Sequence, residues 1–229
     1  MKLSIIIPTF NEEATIGAVV GKIVATRFPV EIELILVDDH SSDRTLEIEQ
    51  QLQKQYPQIP VHLFRNESLQ GKGASIALGL SRCSGDFVVI QDADLEYDPA
   101  ELPKLLAPLL DGSAQVVYGS RFLFKRWPSG MAWPNWLANW TLTRLANRLY
   151  GLQLTDAYTC YKIIPRDLLN ALQLKTNGFE WEAEITAKLG QRKIRIAERP
   201  VSYQGRTVKS GKKIKFADFF KGVRTLLKP

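Results

Sequence analysis

The sequence predicts an α/β fold, with a mostly parallel central sheet carrying helices on both faces. Three observations predict it. Short runs that are apolar throughout and rich in β-branched residues recur along residues 1–121, the pattern of strands buried on both faces. Each run is followed by a segment with helical spacing, the alternation that builds parallel crossovers. Polar residues gather directly after the runs, and open parallel sheets bind their ligands beyond the carboxyl ends of the strands.

The elements follow in order. The first run, residues 3–7, ends at Pro8, and Asn11 is the expected N-cap of a helix running toward Phe28. A second run at residues 32–37 leads into DDHSSD and then into the helical pattern TLEIEQQLQKQY. Residues 61–64 are a shorter third strand, and GKGASIALGLSRC reads as a helix opened by glycine. Residues 87–90 are a fourth buried strand, ending in QDADLEYDP. Asp98 with Glu101 three residues later fits a capping box, with Pro99 at the first helical position. Residues 115–118 are the fifth strand.

The chain then changes character. Residues 122–135 are aromatic and irregular, and residues 135–150 read as an amphipathic helix stopped at Gly151. A short helix follows Pro165, and another covers residues 179–189 with Gly190 at its end. Residues 192–203 alternate as a strand that Pro200 interrupts, and residues 214–227 are helical in period. With no internal repeat or low-complexity tract, one domain spanning residues 1–229 is expected, its halves meeting at residue 121.

Composition narrows the function. At 45% hydrophobic the chain can bury a full core without disulfides, so Cys83 and Cys160 read as a buried, reduced pair in a cytoplasmic protein. The N-terminal apolar run is too short for a signal peptide and turns acidic at once. No stretch approaches the ~18 apolar residues a bilayer span needs, so any membrane contact is expected to be peripheral. Lys and Arg outnumber Asp and Glu by 30 to 24, and they crowd residues 192–228. Such an excess suits an anionic partner. A nucleic acid is not expected, because no recognition motif is present. A dinucleotide-binding dehydrogenase is expected even less, since no G-x-G-x-x-G follows the first strand.

The sharpest chemical feature is Asp92-Ala93-Asp94 behind the fourth strand. Carboxylates at i and i+2 leave an extended chain on one face, where they can share Mg²⁺ or Mn²⁺, hard cations that also bridge diphosphate oxygens. The bland alternative is a pair of loop acids. Asp38-Asp39 after the second strand can accept hydrogen bonds from a base or ribose, or one of them caps the helix starting near Asp43. Pro8, Phe10 and Glu12 can wall a base-binding slot, Phe10 by stacking and Glu12 by hydrogen bonding.

Eight segments resemble the family-2 glycosyltransferases, in particular their dolichyl-phosphate mannose synthase-like group. They are SIIIPTFNEE, ILVDDHSSDRT, GKGAS, GDFVVIQDADLEYDP, VVYGSRF, TDAYTCYKIIPRDLL, GFEWEAEITAKL and VSYQGRTVKSGKKI, in the family's order and over nearly the whole chain. The resemblance implies a GT-A, Rossmann-like fold, a GDP- or UDP-linked hexose donor, Mg²⁺ or Mn²⁺, inverting transfer, and a polyprenyl-phosphate acceptor. Residues 1–121 would bind the donor and residues 122–229 the acceptor.

By position, Pro8, Phe10, Glu12, Val37 and Asp39 would hold the nucleoside, and Asp92, Ala93 and Asp94 the metal and diphosphate, with Glu96 as a further ligand. Asp94 and Arg121 would carry the chemistry. Arg121, Arg206 and Lys212 would contact phosphates, Arg121 that of the acceptor. Lys72 would touch the diphosphate, and Asp156 is left without a role. Many relatives carry an aromatic hydroxyl at Phe10 and a glycine at His40, and some have Gln at Glu96.

A lipid phosphate is already a nucleophile, whereas a sugar hydroxyl needs a base. Asp94, Asp156, Glu180, Glu182 and Glu184 are the candidates for that base. The Trp-rich stretch (Trp127, Trp133, Trp136, Trp140) and the C-terminal amphipathic helix suit a membrane surface or packing on the domain, and a separate membrane-anchoring subunit is a further expected partner. The rival readings are a carbohydrate or diacylglycerol acceptor and a non-catalytic transferase-like subunit.

Overall fold

The computed structural model describes residues 1–123, 125, 127–176, 178, 180–205 and 216–229, with only the backbone for 216–218. Its seven strands are β1 (Lys2–Thr9), β2 (Glu31–Asp38), β3 (Val61–Arg65), β4 (Phe87–Ile90), β5 (Val116–Ser120), β6 (Lys162–Pro165) and β7 (Ile196–Pro200). They form one sheet in the order β3-β2-β1-β4-β6-β5-β7. Only β6 runs against the others: it pairs antiparallel with β4 and β5, while the remaining pairs are parallel. The mostly parallel sheet with helices on both faces is therefore present, and β6 is the strand the sequence did not announce. Only Ile163 and Ile164 are apolar between Lys162 and Pro165, so no apolar run marks it.

The helices are α1 (Ile16–Ala25), α2 (Thr45–Gln55), α3 (Lys72–Arg82), α4 (Leu102–Leu110), α5 (Trp133–Tyr150), α6 (Arg166–Leu172), α7 (Trp181–Gln191) and α8 (Phe216–Leu227), with a 3₁₀ turn at Pro99–Glu101 before α4. Leu3, Ile5, Ile6 and Ile7 of β1 and residues 34–37 of β2 have no exposed surface. They belong to one core cluster that also takes in residues of β4, β5, β6, α4 and α7. α3 crosses β1 and β2 closely at Gly79, where a Cβ would meet Ile6 Cγ2 at 2.6 Å. A bulkier residue there would force the helix off the sheet.

Local details correct the sequence reading. Asn11 is not an N-cap: it has φ 53°, and its Oδ1 accepts the Ser42 N–H at 2.9 Å while α1 begins only at Ile16. Half of the capping box forms. Asp98 accepts the Ala100 N–H at 3.2 Å, but Glu101 turns to Ser202, accepting its N–H at 2.8 Å and its hydroxyl at 2.9 Å. Gly190 lies inside α7, and the strand expected over residues 192–203 is confined to Ile196–Pro200. Gly151 stops α5 as expected, in the left-handed conformation with φ 66°. α8 lies against α5 and α7 with Gly222 and Leu226 inward, so the inner face of the tail packs on the domain.

Strand order places the site. From β1 the chain steps outward to β2 and β3, then returns to lay β4 on the other side of β1. Connections therefore diverge between β1 and β4, the switch point where α/β sheets leave a crevice. Pro8–Glu12 and Asp92–Glu96 emerge on either side of it.

Candidate active site

A cavity of about 740 Å³ opens where these strands end. β1 contributes Pro8, Thr9 and, just beyond it, Phe10 and Glu12. Asp39 follows β2, Lys72 opens α3, Asp92, Ala93, Asp94 and Glu96 follow β4, and Arg121 follows β5. Nine of the expected site residues thus line one cavity together with Lys72. Val37 does not: its side chain is fully buried in β2, where its carbonyl accepts the Thr9 hydroxyl at 3.3 Å. Arg206 and Lys212 lie outside the described residues.

The loops after β1 and β2 are laced together. The Asn11 N–H donates to Ser41 Oγ at 3.0 Å, the Glu12 N–H to Thr45 Oγ1 at 2.8 Å, and the Arg44 N–H to Glu13 at 3.0 Å. Asn11 and His40 both take left-handed backbone, with φ 53° and 62°. Glycine would adopt that conformation at His40 without a steric cost.

Neither Asp38 nor Asp39 caps α2, where Asp43 accepts the Thr45 N–H at 3.0 Å. Asp38 pairs with Arg65 at 2.9 Å and is sealed from solvent. Asp39 accepts from Asn66 Nδ2 at 2.7 Å, from the Gln70 N–H at 2.9 Å and from the Gly71 N–H at 2.7 Å. It therefore fixes the glycine turn that opens α3. A carboxylate offers about four acceptor positions, so one remains toward the cavity.

Behind β4 the chain turns sharply. Ala93 is buried, Asp94 Oδ1 accepts the Glu96 N–H at 3.0 Å, and Leu95 takes φ 60°. Left-handed backbone at a non-glycine residue costs free energy and gathers at functional sites. The turn is pinned from below. Tyr161 Oη donates to Gln91 Oε1 at 2.6 Å, and Gln91 Nε2 donates to the Asp92 carbonyl at 2.9 Å. Asp92 and Asp94 keep partly exposed carboxylates on the cavity lining, while Glu96 Oε2 accepts the Tyr203 hydroxyl at 2.7 Å.

Among the described residues no group of three or more His, Cys, Asp or Glu is arranged to hold a metal. Two carboxylates fit a Mg²⁺ or Mn²⁺ that takes its other ligands from substrate phosphate and water, as such ions commonly do. A cation already stands there: Lys72 Nζ lies 2.7 Å from Asp92 Oδ1. Burial works against that ammonium, but Asp92 and then Cys160 and Glu182 raise its pKa well above the usual lysine range.

Arg121 is buried and forked onto Asp156, whose side chain has no exposed surface. Its Nη2 also donates to the Tyr158 carbonyl at 3.0 Å, and its guanidinium stands 5.2 Å from the Tyr203 ring. Nη1 takes none of these bonds. The remaining wall is apolar, built by Met131, Trp133, Leu137 and Leu142 of the α5 region and by Phe219 of α8.

Of the five candidate bases, Asp94 and Glu182 reach the cavity. Asp156 is committed to Arg121. Glu184 clips the preceding loop, accepting the Lys175 and Thr176 N–H groups at 2.9 Å. Glu180 is not on the lining. Tyr158, Cys160 and Tyr203 also line the cavity and were missed. Their segments were recognised, but nothing in a single sequence tells which side chain of an irregular stretch turns inward.

Residues 4–173 match the model of glycosyl transferase family 2. The chain is 29% identical over 227 residues to the low-salt glycan biosynthesis hexosyltransferase of Haloferax volcanii, covering 98% of this chain and 53% of that protein. It is 35% identical over 132 residues to the dolichol-phosphate mannosyltransferase of Pyrococcus furiosus, covering 56% of this chain and 36% of that one. The chain thus spans about half or less of these two relatives. Glucosyl-3-phosphoglycerate synthase from Mycobacterium tuberculosis superposes over 99% of this chain and 79% of its own at 23% identity, with a TM-score of 0.73 in its phosphoglyceric acid complex. In its complex with Mn²⁺, UDP and glucosyl-3-phosphoglycerate the TM-score is 0.68, with 78% of that chain covered. The shared architecture is the GT-A fold.

Proposed function

The chain belongs to glycosyl transferase family 2, and on that premise we propose that it moves a hexose from a GDP- or UDP-linked donor to a polyprenyl phosphate, with inversion. The observation that carries this reading is one cavity with two unlike walls. Asp92, Asp94 and Lys72 stand on it together with Trp133, Leu137, Leu142 and Phe219, and Arg121 lies on the same lining. A charged pyrophosphate and an apolar chain can meet in such a space.

Pro8, Phe10 and Glu12 wall the nucleoside, and Asp39 offers its remaining acceptor position to a base or ribose donor. Asp92 and Asp94 would hold the divalent cation, which would neutralise charge on the departing diphosphate. Glu96 is the weaker third ligand because Tyr203 occupies one of its oxygens. Lys72 adds positive charge beside the diphosphate. Arg121 directs Nη1 at the acceptor phosphate, and a phosphate oxygen needs no base to attack. The chain's task is then positioning and charge stabilisation.

Trp127, Trp133 and Trp140 are exposed, Arg144 stands 4.4 Å over the Trp140 ring, and Phe220 and Leu227 are exposed on α8. Aromatic and basic residues in one zone suit the interfacial layer of a membrane, which would deliver a lipid acceptor to the apolar wall. No helix among the described residues is long and apolar enough to cross one. A separate anchoring subunit belongs to the same reading.

The test is transfer of label from GDP-mannose and UDP-glucose to undecaprenyl phosphate in detergent, with Mn²⁺ or with EDTA. Label in the organic phase that depends on Mn²⁺ is expected. Transfer to soluble sugars or diacylglycerol instead would overturn the acceptor assignment.

A further inference from the structure

The residue that the proposed chemistry leaves unused is Glu182. It lies in the first turn of α7, where the helix dipole favours an acid. Its carboxylate is almost fully buried between two lysines, with Oε1 3.7 Å from Lys72 Nζ and Oε2 3.8 Å from Lys162 Nζ. Lys162, from β6, is itself buried, donates to the Thr159 carbonyl, and lies 5.8 Å from the Trp181 ring. Lys72 lies 6.0 Å from the same ring and 2.7 Å from Asp92. The charges therefore alternate in a line: Lys162, Glu182, Lys72, Asp92.

This line ends on a carboxylate that the reading above assigns to a cation. An ammonium and a divalent ion cannot share one carboxylate oxygen without strong repulsion. An ion that takes Asp92 Oδ1 therefore displaces Lys72, and a largely buried ammonium displaced from one counter-charge needs another. Glu182 is already within ion-pair distance of Lys72. Lys162 holds the second oxygen of Glu182, so its carboxylate stays aimed at Lys72.

We propose that Glu182 is a positioning residue that takes Lys72 over from Asp92 when a divalent cation binds. It acts through Lys72 and touches neither cation nor sugar. The proposal rests on the assignment of Asp92 as a metal ligand.

The test is a double-mutant cycle on Mn²⁺ binding by the full chain, read from the free-Mn²⁺ paramagnetic resonance signal, first with Mn²⁺ alone and then with UDP. Glu182→Gln is expected to bind Mn²⁺ about tenfold more weakly, a typical coupling for residues in direct contact. In a Lys72→Met background, where this ammonium no longer competes for Asp92, the same change is expected to have no effect. If Glu182→Gln weakens binding equally in both backgrounds, the residue acts only by its long-range charge and the hand-over is overturned. Equal Mn²⁺ affinity in wild type and Glu182→Gln overturns it as well. A wild-type chain that takes no Mn²⁺ in either condition sinks the metal assignment, and the proposal falls with it. Should Glu182→Gln fail to fold, Lys162→Met with Glu182→Gln removes the stranded charge and is expected to show the same loss.

Discussion

The guanidinium of Arg121 meets the carboxylate of Asp156 through two parallel bonds, Nε to Oδ2 at 2.7 Å and Nη2 to Oδ1 at 2.8 Å. The backbone carries the same pair further. Asp156 also accepts the Arg121 N–H at 3.1 Å, and Glu198 of β7 accepts the Asp156 N–H at 3.0 Å. Burial opposes the charge on Arg121, but Asp156 raises its pKa well above the usual arginine range, so it stays a fixed cation. Asp156 thus gains a role that sequence alone left empty: it holds one edge of the fork, and the other edge can meet a ligand.

Arg121→Lys keeps the charge and loses the fork. The KM for undecaprenyl phosphate is expected to rise at least about tenfold, the size of one charged hydrogen bond, with UDP affinity unchanged. Equal losses for donor and acceptor would count against the assignment of Arg121 to the acceptor. Asp156→Ala strands a buried guanidinium and is expected to cost about 3–5 kcal/mol of stability, measured by urea unfolding.

Asp92→Asn and Asp94→Asn preserve shape and remove anionic oxygen. Each is expected to reduce Mn²⁺-dependent transfer by about a hundredfold or more, since the charge stabilisation of the leaving group is lost. Isothermal titration with UDP is expected to retain binding in the absence of Mn²⁺ and to lose the Mn²⁺-linked gain. Near-normal turnover of either variant would remove the metal from the reaction.

The parts of this molecule that repeat a physical pattern were legible before any coordinates. β1, β2 and β4 are apolar on both faces, so their runs and the acids behind them marked the site edge directly. β6 was invisible because Ile163 and Ile164, enclosed by Lys162 and Pro165, make too short an apolar run to mark a strand, and the strand exists only because β4 and β5 flank it. Val37 differs. The resemblance gave it a nucleoside contact, and the structure buries its side chain within β2, off the cavity lining. Glu182 and Asp156 were visible as acids, yet their roles depend on Lys162, Lys72 and Arg121, which lie 20 or more residues away. Single-sequence spacing cannot bring such partners together.

The apolar wall separates the acceptor reading from its rivals. Leu137 lies on the cavity lining and is 38% exposed, so a change there leaves the core intact. Leu137→Asp places a charge where a polyprenyl chain would lie. It is expected to raise the KM for undecaprenyl phosphate at least about tenfold, the equivalent of losing one or two buried methylenes' worth of contact. Thermal stability and UDP binding are expected to stay at wild-type values. Trp133→Ala and Trp140→Ala are expected to lower co-sedimentation with phosphatidylglycerol vesicles. Unchanged lipid kinetics in Leu137→Asp would move the acceptor elsewhere.

Glu49 sets a pH dependence that can be measured apart from catalysis. It lies in α2 with no exposed surface, its Oε1 accepts the Thr9 hydroxyl at 2.7 Å, and its Oε2 has no partner. Burial first, and then the Asp38 and Asp43 charges against the opposing Thr9 bond, push its pKa from 4.5 up to about 8. Between those two values the folded chain holds a proton that the unfolded chain has released. Stability from this group therefore falls as pH rises across the window, and the full penalty is present above about 8. Glu49→Gln keeps the acceptor for Thr9 and has no proton to lose. Urea unfolding is expected to show the variant and the wild type alike near pH 4, with the variant increasingly more stable toward pH 8, by a few kcal/mol in order of magnitude. A stability difference that does not change with pH would mean that Glu49 is ionised in the folded chain, and that an unseen donor satisfies its second oxygen.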